Sequence, residues 1–175
     1  PTEVAESVTT TRSIRPLVYK INTPTKYPLF VFGSYENVCG GCDGLDDYPT
    51  TIANLLAKYA PKGNVLYEGM LISGSFGRLG ETLNGYRDKG YKVIFAVLDT
   101  PIDVCLARVQ VRREARGDLR PFNPENTISK HKSSERIANK IGSEYGHTVV
   151  RINHKLPATD VMKLLGVEYE IKVRG

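Results

Sequence analysis

Cysteine is scarce and apolar runs are short in this chain, and each shortage excludes a class of protein. The three cysteines, Cys39, Cys42 and Cys105, are an odd number without a secretion pattern, which speaks against a disulfide framework. No apolar run approaches the roughly 20 residues that a membrane span needs. The N-terminus also lacks the charged-then-apolar pattern of a signal peptide, so the chain reads as a cytosolic protein with no membrane partner. Cys39 and Cys42 form one CxxC, but no second CxxC exists, and His131, His147 and His154 show no ligand spacing. Structural zinc takes about four ligands, so a zinc-stabilised interaction domain is a weak reading. A redox pair is weaker, since no thioredoxin-like order of elements surrounds it. Internal repeats and low-complexity segments are missing too.

What is present suits one globular domain, residues 1–175, with a sizeable core. Lys and Arg number 24 against 19 Asp and Glu, a surplus of +5 that fits phosphorylated or nucleic-acid partners without requiring them. The surplus is uneven. Arg108, Arg112, Arg113, Arg116 and Arg120 stand against only Glu114 and Asp118 in the same stretch. Guanidinium groups grip phosphate oxygens in pairs, which makes this the best anion site in the chain.

Hydrophobic spacing predicts the order of elements. Val4, Ala5 and Val8 recur at helical spacing, as in the tail of a helix. Leu17 to Ile21 and Leu29 to Phe32 read as strands in a hairpin or side by side. Gly33 to Gly44 is a Gly-rich loop, and binding residues are over-represented on such loops. A helix follows from Thr50 to Tyr59, capped by Thr50 or Thr51, then a central strand from Val65 to Gly69. Ser73-Gly74-Ser75 reads as a turn into a helix from about Phe76 to Asp88. Lys92 to Leu98 has the continuous apolar character of a strand buried on both faces. Pro101 opens a helix whose stripe of Ile102, Cys105, Leu106 and Val109 continues into Arg112, Arg113 and Arg116. Residues 121–127 are a loop, Ile128 to Ile141 a solvated helix, Thr148 to Ile152 a strand and Ala158 to Leu165 a last helix. This alternation implies an α/β fold: a three-layer parallel sheet with helices on both faces.

Four constellations carry chemistry. Glu68 ends an apolar strand, where open α/β sheets bind ligands, and would order a magnesium shell or polarise an attacking group. The stretch 108–127 has the form of a lid, with Arg108, Arg112, Arg116 and Arg120 as phosphate groups and Arg113 as the catalytic one. A solvated basic helix end is the plain alternative. In the Gly-rich loop, Asp43 is a candidate general base for a hydroxyl, and Tyr35, Cys39, Gly40, Gly41 and Cys42 would bind substrate. Glu36, Asp46 and Asp47 could share the same cleft. Last, Lys130, His131 and Lys132 could hold a nucleic-acid backbone, although a solvated helix face explains each of them as well.

The segments GSYENVCGGCDG (33–44), VLYEGMLIS (65–73), VLDTPIDVCLARVQVRREARG (97–117) and NPENTISKH (123–131), in this order, resemble the small P-loop kinases of tailed bacteriophages, relatives of polynucleotide kinase. The resemblance covers roughly residues 19–165. It implies ATP and Mg as cofactors, transfer of the γ-phosphoryl group to a hydroxyl of a nucleoside, nucleotide or modified DNA base, and location in the cytoplasm of an infected host. One departure stands out: GxxxxGK[ST] is absent. With Pro1 in place of an initiator Met, the expectation is that about 15 to 25 residues holding the first strand and that loop lie upstream. The chain as given would then be inactive. The competing reading is a degenerate module of the same fold that binds nucleotide or nucleic acid without chemistry.

Overall fold

Strand and helix propensities meet first in residues 1–91. The computed structural model describes residues 2–9, 14–36, 41–43, 45, 47–69, 71–118 and 120–167, without the side chains of 8, 9, 14, 71–75 and 78. It divides into two compact units, residues 1–91 with 162–175, and residues 92–161.

The first unit is built on a four-stranded sheet in the order β1-β2-β3-β4: Thr2–Thr9, Ile14–Ile21, Leu29–Phe32 and Asn64–Tyr67. β1 runs antiparallel to β2 and β2 antiparallel to β3, whereas β3 and β4 are parallel. The expected all-parallel sheet is therefore corrected to a mixed one. The expected N-terminal helix is corrected as well. Val4 pairs with Tyr19 and Thr2 with Ile21, so the β-branched residues of β1 extend a hairpin rather than wind a turn. Glu6 secures that hairpin, accepting from Lys58 Nζ at 2.6 Å and Tyr59 OH at 2.8 Å on α1, Tyr48–Tyr59.

Val18, Leu29, Phe30 and Phe32 of the sheet are buried, as are Ile52, Leu55, Leu56 and Tyr59 of α1. The Tyr59 ring lies 4.8 Å from Phe30 and 5.9 Å from Phe32. Removing each large side chain from water stabilises the unit by about 1.5–3 kcal/mol. The anticipated Thr50 cap is not used: α1 starts two residues earlier, with Pro49 in its first turn. A second helix, α2, covers Leu71–Asp88. It thus includes Ser73-Gly74-Ser75, which spacing assigns to a turn. Gly costs a helix interior about 1 kcal/mol, and burial of Phe76, Leu79 and Leu83 outweighs it.

The second unit pairs β5, Ile94–Asp99, in parallel with β6, Thr148–Asn153. β5 is not buried on both faces as its composition suggests. Among the described residues it pairs only with β6, and Leu98 is 47% exposed. Two helices lie wholly in this unit, α3, Ile102–Ala115, and α4, Glu125–Ser143; the last helix, α5, Pro157–Leu164, begins in it and ends in residues counted with the first. The apolar stripe of α3 is only half-buried. α4 starts at Glu125, inside the anticipated loop, because the Asn123 side chain accepts the Glu125 N–H at 2.9 Å. Arg151 binds Glu135 through both guanidinium amino groups, at 2.7 and 2.6 Å, and so ties β6 to α4. The two units together make a mixed α/β fold with five helices, none of them long and apolar enough to cross a membrane among the described residues.

Candidate active site

β3 and β4 are parallel neighbours, so the chain leaving one passes beside the chain leaving the other. After Phe32 the backbone enters Gly33, whose φ of +110° suits glycine alone. Its N–H donates to Leu17 O at 2.9 Å, and Ser34 and Gly41 then exchange a pair of backbone hydrogen bonds at 3.2 and 3.0 Å. A Cβ on Gly33 would lie 2.4 Å from the Gly41 carbonyl carbon, so the two strands of the loop touch backbone to backbone. The chain next reaches the end of β4. Cys42 N–H donates to Glu68 O at 2.8 Å, which seats Gly41-Cys42-Asp43 directly on the YEG segment.

Two carboxylates meet on this seat. A Cβ on Gly41 would stand 3.0 Å from Glu68 Cγ and 3.3 Å from Glu68 Oε1, so the Glu68 side chain folds across the bare backbone of Gly41. Reciprocally, a Cβ on Gly69 would stand 2.6 Å from Asp43 Oδ1, so the Asp43 carboxylate rests on Gly69. Asp43 lies over the glycine next to Glu68, and Glu68 over the glycine two residues before Asp43. Gly69 provides close approach, and Gly41, at φ +79°, provides it together with a left-handed backbone.

The neighbours sort the remaining candidates. Tyr19 OH and Ser34 Oγ both donate to Glu36, the latter at 2.8 Å, and these bonds hold the Glu36 carboxyl below its ordinary pKa. Glu36 is thereby committed to fastening the loop to β2. Asp47 precedes α1 at φ +42°, whereas Cys39, Gly40 and Asp46 lie outside the described residues. Tyr35 is 41% exposed and meets the Tyr19 ring edge-on at 5.8 Å; desolvation, and then the charge of Glu68, push its phenol up. The Cys42 side chain is fully buried, and its thiol donates to Phe32 O at 3.5 Å. Burial pushes that thiol up to about 12, with Asp43 and Glu68 adding to the shift. Cys42 therefore anchors the loop in the core, and a substrate would meet only its backbone.

One neighbour has no signature in the sequence pattern. Tyr48 is buried, and its hydroxyl has no hydrogen-bond partner among the described residues. Burial raises its pKa, followed by the charges of Tyr67, Cys42 and Asp43.

The five arginines of the second unit are not one group. Asp118 takes two of them: its carboxylate lies 3.2 Å from Arg113 Nη1 and accepts from Arg120 Nε and Nη2, each at 2.8 Å. Arg113 Nη2 also donates to Arg120 O at 2.5 Å, and its guanidinium stands 5.8 Å from the Phe122 ring centre. The Arg120 hydrogen bonds hold the Asp118 carboxyl far below the usual range. By contrast Arg108, Arg112 and Arg116 are exposed and make no ion pair among the described residues. Two like-charged i,i+4 pairs destabilise a helix by a few tenths of a kcal/mol each.

Lys130 and Lys132 are exposed, while His131 turns inward and donates to Thr100 O at 3.0 Å, so these three do not form one patch. His154 donates to Asp99 O at 2.7 Å. Asn153, His154, Lys155 and Asp160, with Pro101 and Ile152, line an open hollow of about 490 Å³ at the ends of β5 and β6. The rule that picks out Glu68, a polar residue straight after an apolar strand, also applies to Asn153, where the sequence reading did not use it. No cluster of three or more acid, His or Cys side chains suited to a metal occurs among the described residues.

No family model and no solved structure matches the chain. Among curated proteins, it is 32% identical over 128 residues to a 5-hmdU DNA kinase of Pseudomonas phage PaMx11, covering 73% of this chain and 66% of that protein. It is 27% identical over 142 residues to a 5-hmdU DNA kinase of Pseudomonas phage M6, covering 77% of this chain and 71% of that protein. The chain spans about two thirds of the length of these relatives. Both relatives carry the same name, 5-hmdU DNA kinase.

Proposed function

We propose that this chain supplies the acceptor side of a kinase that moves the γ-phosphoryl group of ATP onto the hydroxyl of a hydroxymethylated pyrimidine in DNA. The observation that carries the reading is the crossed pair of carboxylates, Asp43 over Gly69 and Glu68 over Gly41, just beyond the end of β4, the parallel neighbour of β3. The names of the two relatives choose the acceptor.

Asp43 acts as the base. It takes the proton of the hydroxyl as that oxygen attacks the γ-phosphorus; the bond from phosphorus to the β–γ bridging oxygen breaks, and ADP leaves with the electron pair. The exposed Tyr35 ring offers a face on which a base can stack. Glu68 is a hard oxygen donor of the kind magnesium takes one or two at a time, the remaining positions going to water and phosphate. Bound there with the nucleotide, the ion would neutralise charge on the phosphates. Arg113 would serve as a lid group only once Asp118 releases it. GxxxxGK[ST] does not occur in the 175 residues, so the groups named are those that face the acceptor.

The test is transfer of labelled phosphate from ATP, by the full protein, to an oligonucleotide containing 5-hmdU and to its thymidine counterpart. Asp43→Asn should lower turnover at least about 100-fold, the range for losing a general base. Glu68→Gln should raise the magnesium requirement. Equal labelling of the two oligonucleotides, or an Asp43→Asn enzyme within about tenfold of wild type, would sink the reading.

A further inference from the structure

The arginines left over by Asp118 form a row. Arg108, Arg112 and Arg116 stand four residues apart along α3 and its C-terminal turn, all exposed, with Val111, 63% exposed, beside them. Arg108 and Arg112 have no acid three or four residues away, and the Arg112 Nε–H is turned back onto Arg108 O at 3.3 Å. The surrounding unit concentrates the charge of the chain: residues 92–161 hold 12 Lys and Arg against 8 Asp and Glu, and the other residues 12 against 11.

We infer that this row is a track for the phosphate backbone of substrate DNA. The choice of DNA rests on the kinase reading above; the existence of a polyanion track does not. Eight residues of helix carry the row over about 12 Å. At about 6 Å between successive arginines along the axis, each guanidinium can meet a separate phosphate of one strand, so the row meets roughly three of them. A nucleotide triphosphate is a poor alternative occupant. It needs cations that converge on a compact group, and side chains spaced along the convex side of one helix diverge. The other basic row, Lys132, Arg136 and Lys140 on α4, is partly neutralised, since Lys140 pairs with Glu144 at 3.4 Å.

The experiment compares the full protein with its R108Q/R112Q/R116Q variant in binding a fluorescent single-stranded oligonucleotide across a salt series. The variant should bind at least about tenfold more weakly, and the slope of log affinity against log salt should fall by about two, at roughly 0.7 per lost contact. Its affinity for a fluorescent ATP analogue and its melting temperature should not fall. R108K/R112K/R116K, which keeps the charges, should keep most of the slope. Unchanged DNA affinity overturns the inference, and so does a loss confined to the ATP analogue, which would give the row to the phosphate donor. The two readings fail separately. A wild type that binds DNA through the row but transfers no phosphate refutes the kinase and leaves the track, whereas transfer that ignores the row refutes the track and leaves the kinase.

Discussion

Adding one methyl group at Gly69 tests the crossed-carboxylate site. The backbone of Gly69 is outside the left-handed region, so alanine is conformationally acceptable there. The new Cβ would nevertheless lie 2.6 Å from Asp43 Oδ1, well inside the ordinary contact distance near 3.4 Å. The clashing atom is the tip of a side chain, which escapes by rotating. The Asp43 carboxylate must then retreat by close to 1 Å, and a misplacement of that size costs a catalytic group about 100-fold in rate. Stability should change by no more than about 1 kcal/mol, the usual range for a substitution that the side chains absorb. Gly33→Ala is the contrasting control. There the Cβ would meet the Gly41 backbone at 2.4 Å, and φ is +110°, so neither partner can yield and the loop should come apart, at a cost of at least about 2 kcal/mol. Urea denaturation and phosphate transfer to 5-hmdU DNA, run on both variants, separate the effects. A Gly69→Ala protein that is folded and within about twofold of wild-type turnover would refute a role for Asp43 at the reacting hydroxyl.

Three further outcomes follow from the geometry. Tyr48→Phe removes a buried hydroxyl with no partner among the described residues, so it should raise unfolding stability by about 1 kcal/mol; a loss of similar size would mean that the hydroxyl is bonded after all. Cys42, buried and pushed up to about 12, should resist iodoacetamide at pH 8 in the native protein, while the half-buried Cys105 is alkylated first, as peptide mass spectrometry would reveal; early labelling of Cys42 contradicts its place in the core. Asp118 has a folded pKa below its unfolded one, so its stabilising contribution is complete above the ordinary carboxylate range and is lost as the pH falls through the depressed folded value. Asp118→Asn should therefore flatten the acid limb of a stability-against-pH curve, and an unchanged limb would show that the two arginines do not depend on it.

How far the fold was legible depended on whether a segment's neighbours are local. β3 and α3 lie within a residue of where their apolar runs put them, because four consecutive strand formers, or a stripe closed by Pro101, leave little choice. β1 was lost for the opposite reason. Val4, Ala5 and Val8 satisfy a helical period, and only pairing with Tyr19 and the hold of Lys58 and Tyr59 on Glu6 decide for a strand. Those partners lie 15 to 53 residues away, beyond the reach of local periodicity. The direction of the sheet was hidden likewise: nothing within Leu29 to Phe32 records that one neighbouring strand is antiparallel and the other parallel.

The candidate site was legible as chemistry but not as assignment. A carboxylate after an apolar strand and another after a glycine pair could be named, and the fold brings both to the segment that follows β4, yet Glu36 offered the same chemistry and only Tyr19 and Ser34 remove it. The arginines make the same point with charge. Counting sets five cations against two acids and makes every arginine equally available. A carboxylate has two oxygens and can satisfy two guanidinium groups at once, which Asp118 does for Arg113 and Arg120. Arg113, the residue best placed by sequence to serve a reacting phosphate, is therefore the most firmly held. An arginine in that state contributes to catalysis only if a phosphate outcompetes Asp118, whereas Arg108, Arg112 and Arg116 have no ion pair among the described residues to break before meeting an anion. If Asp118→Asn weakened DNA binding as much as loss of the row does, the two sets of arginines would be one site and the division between them would fail.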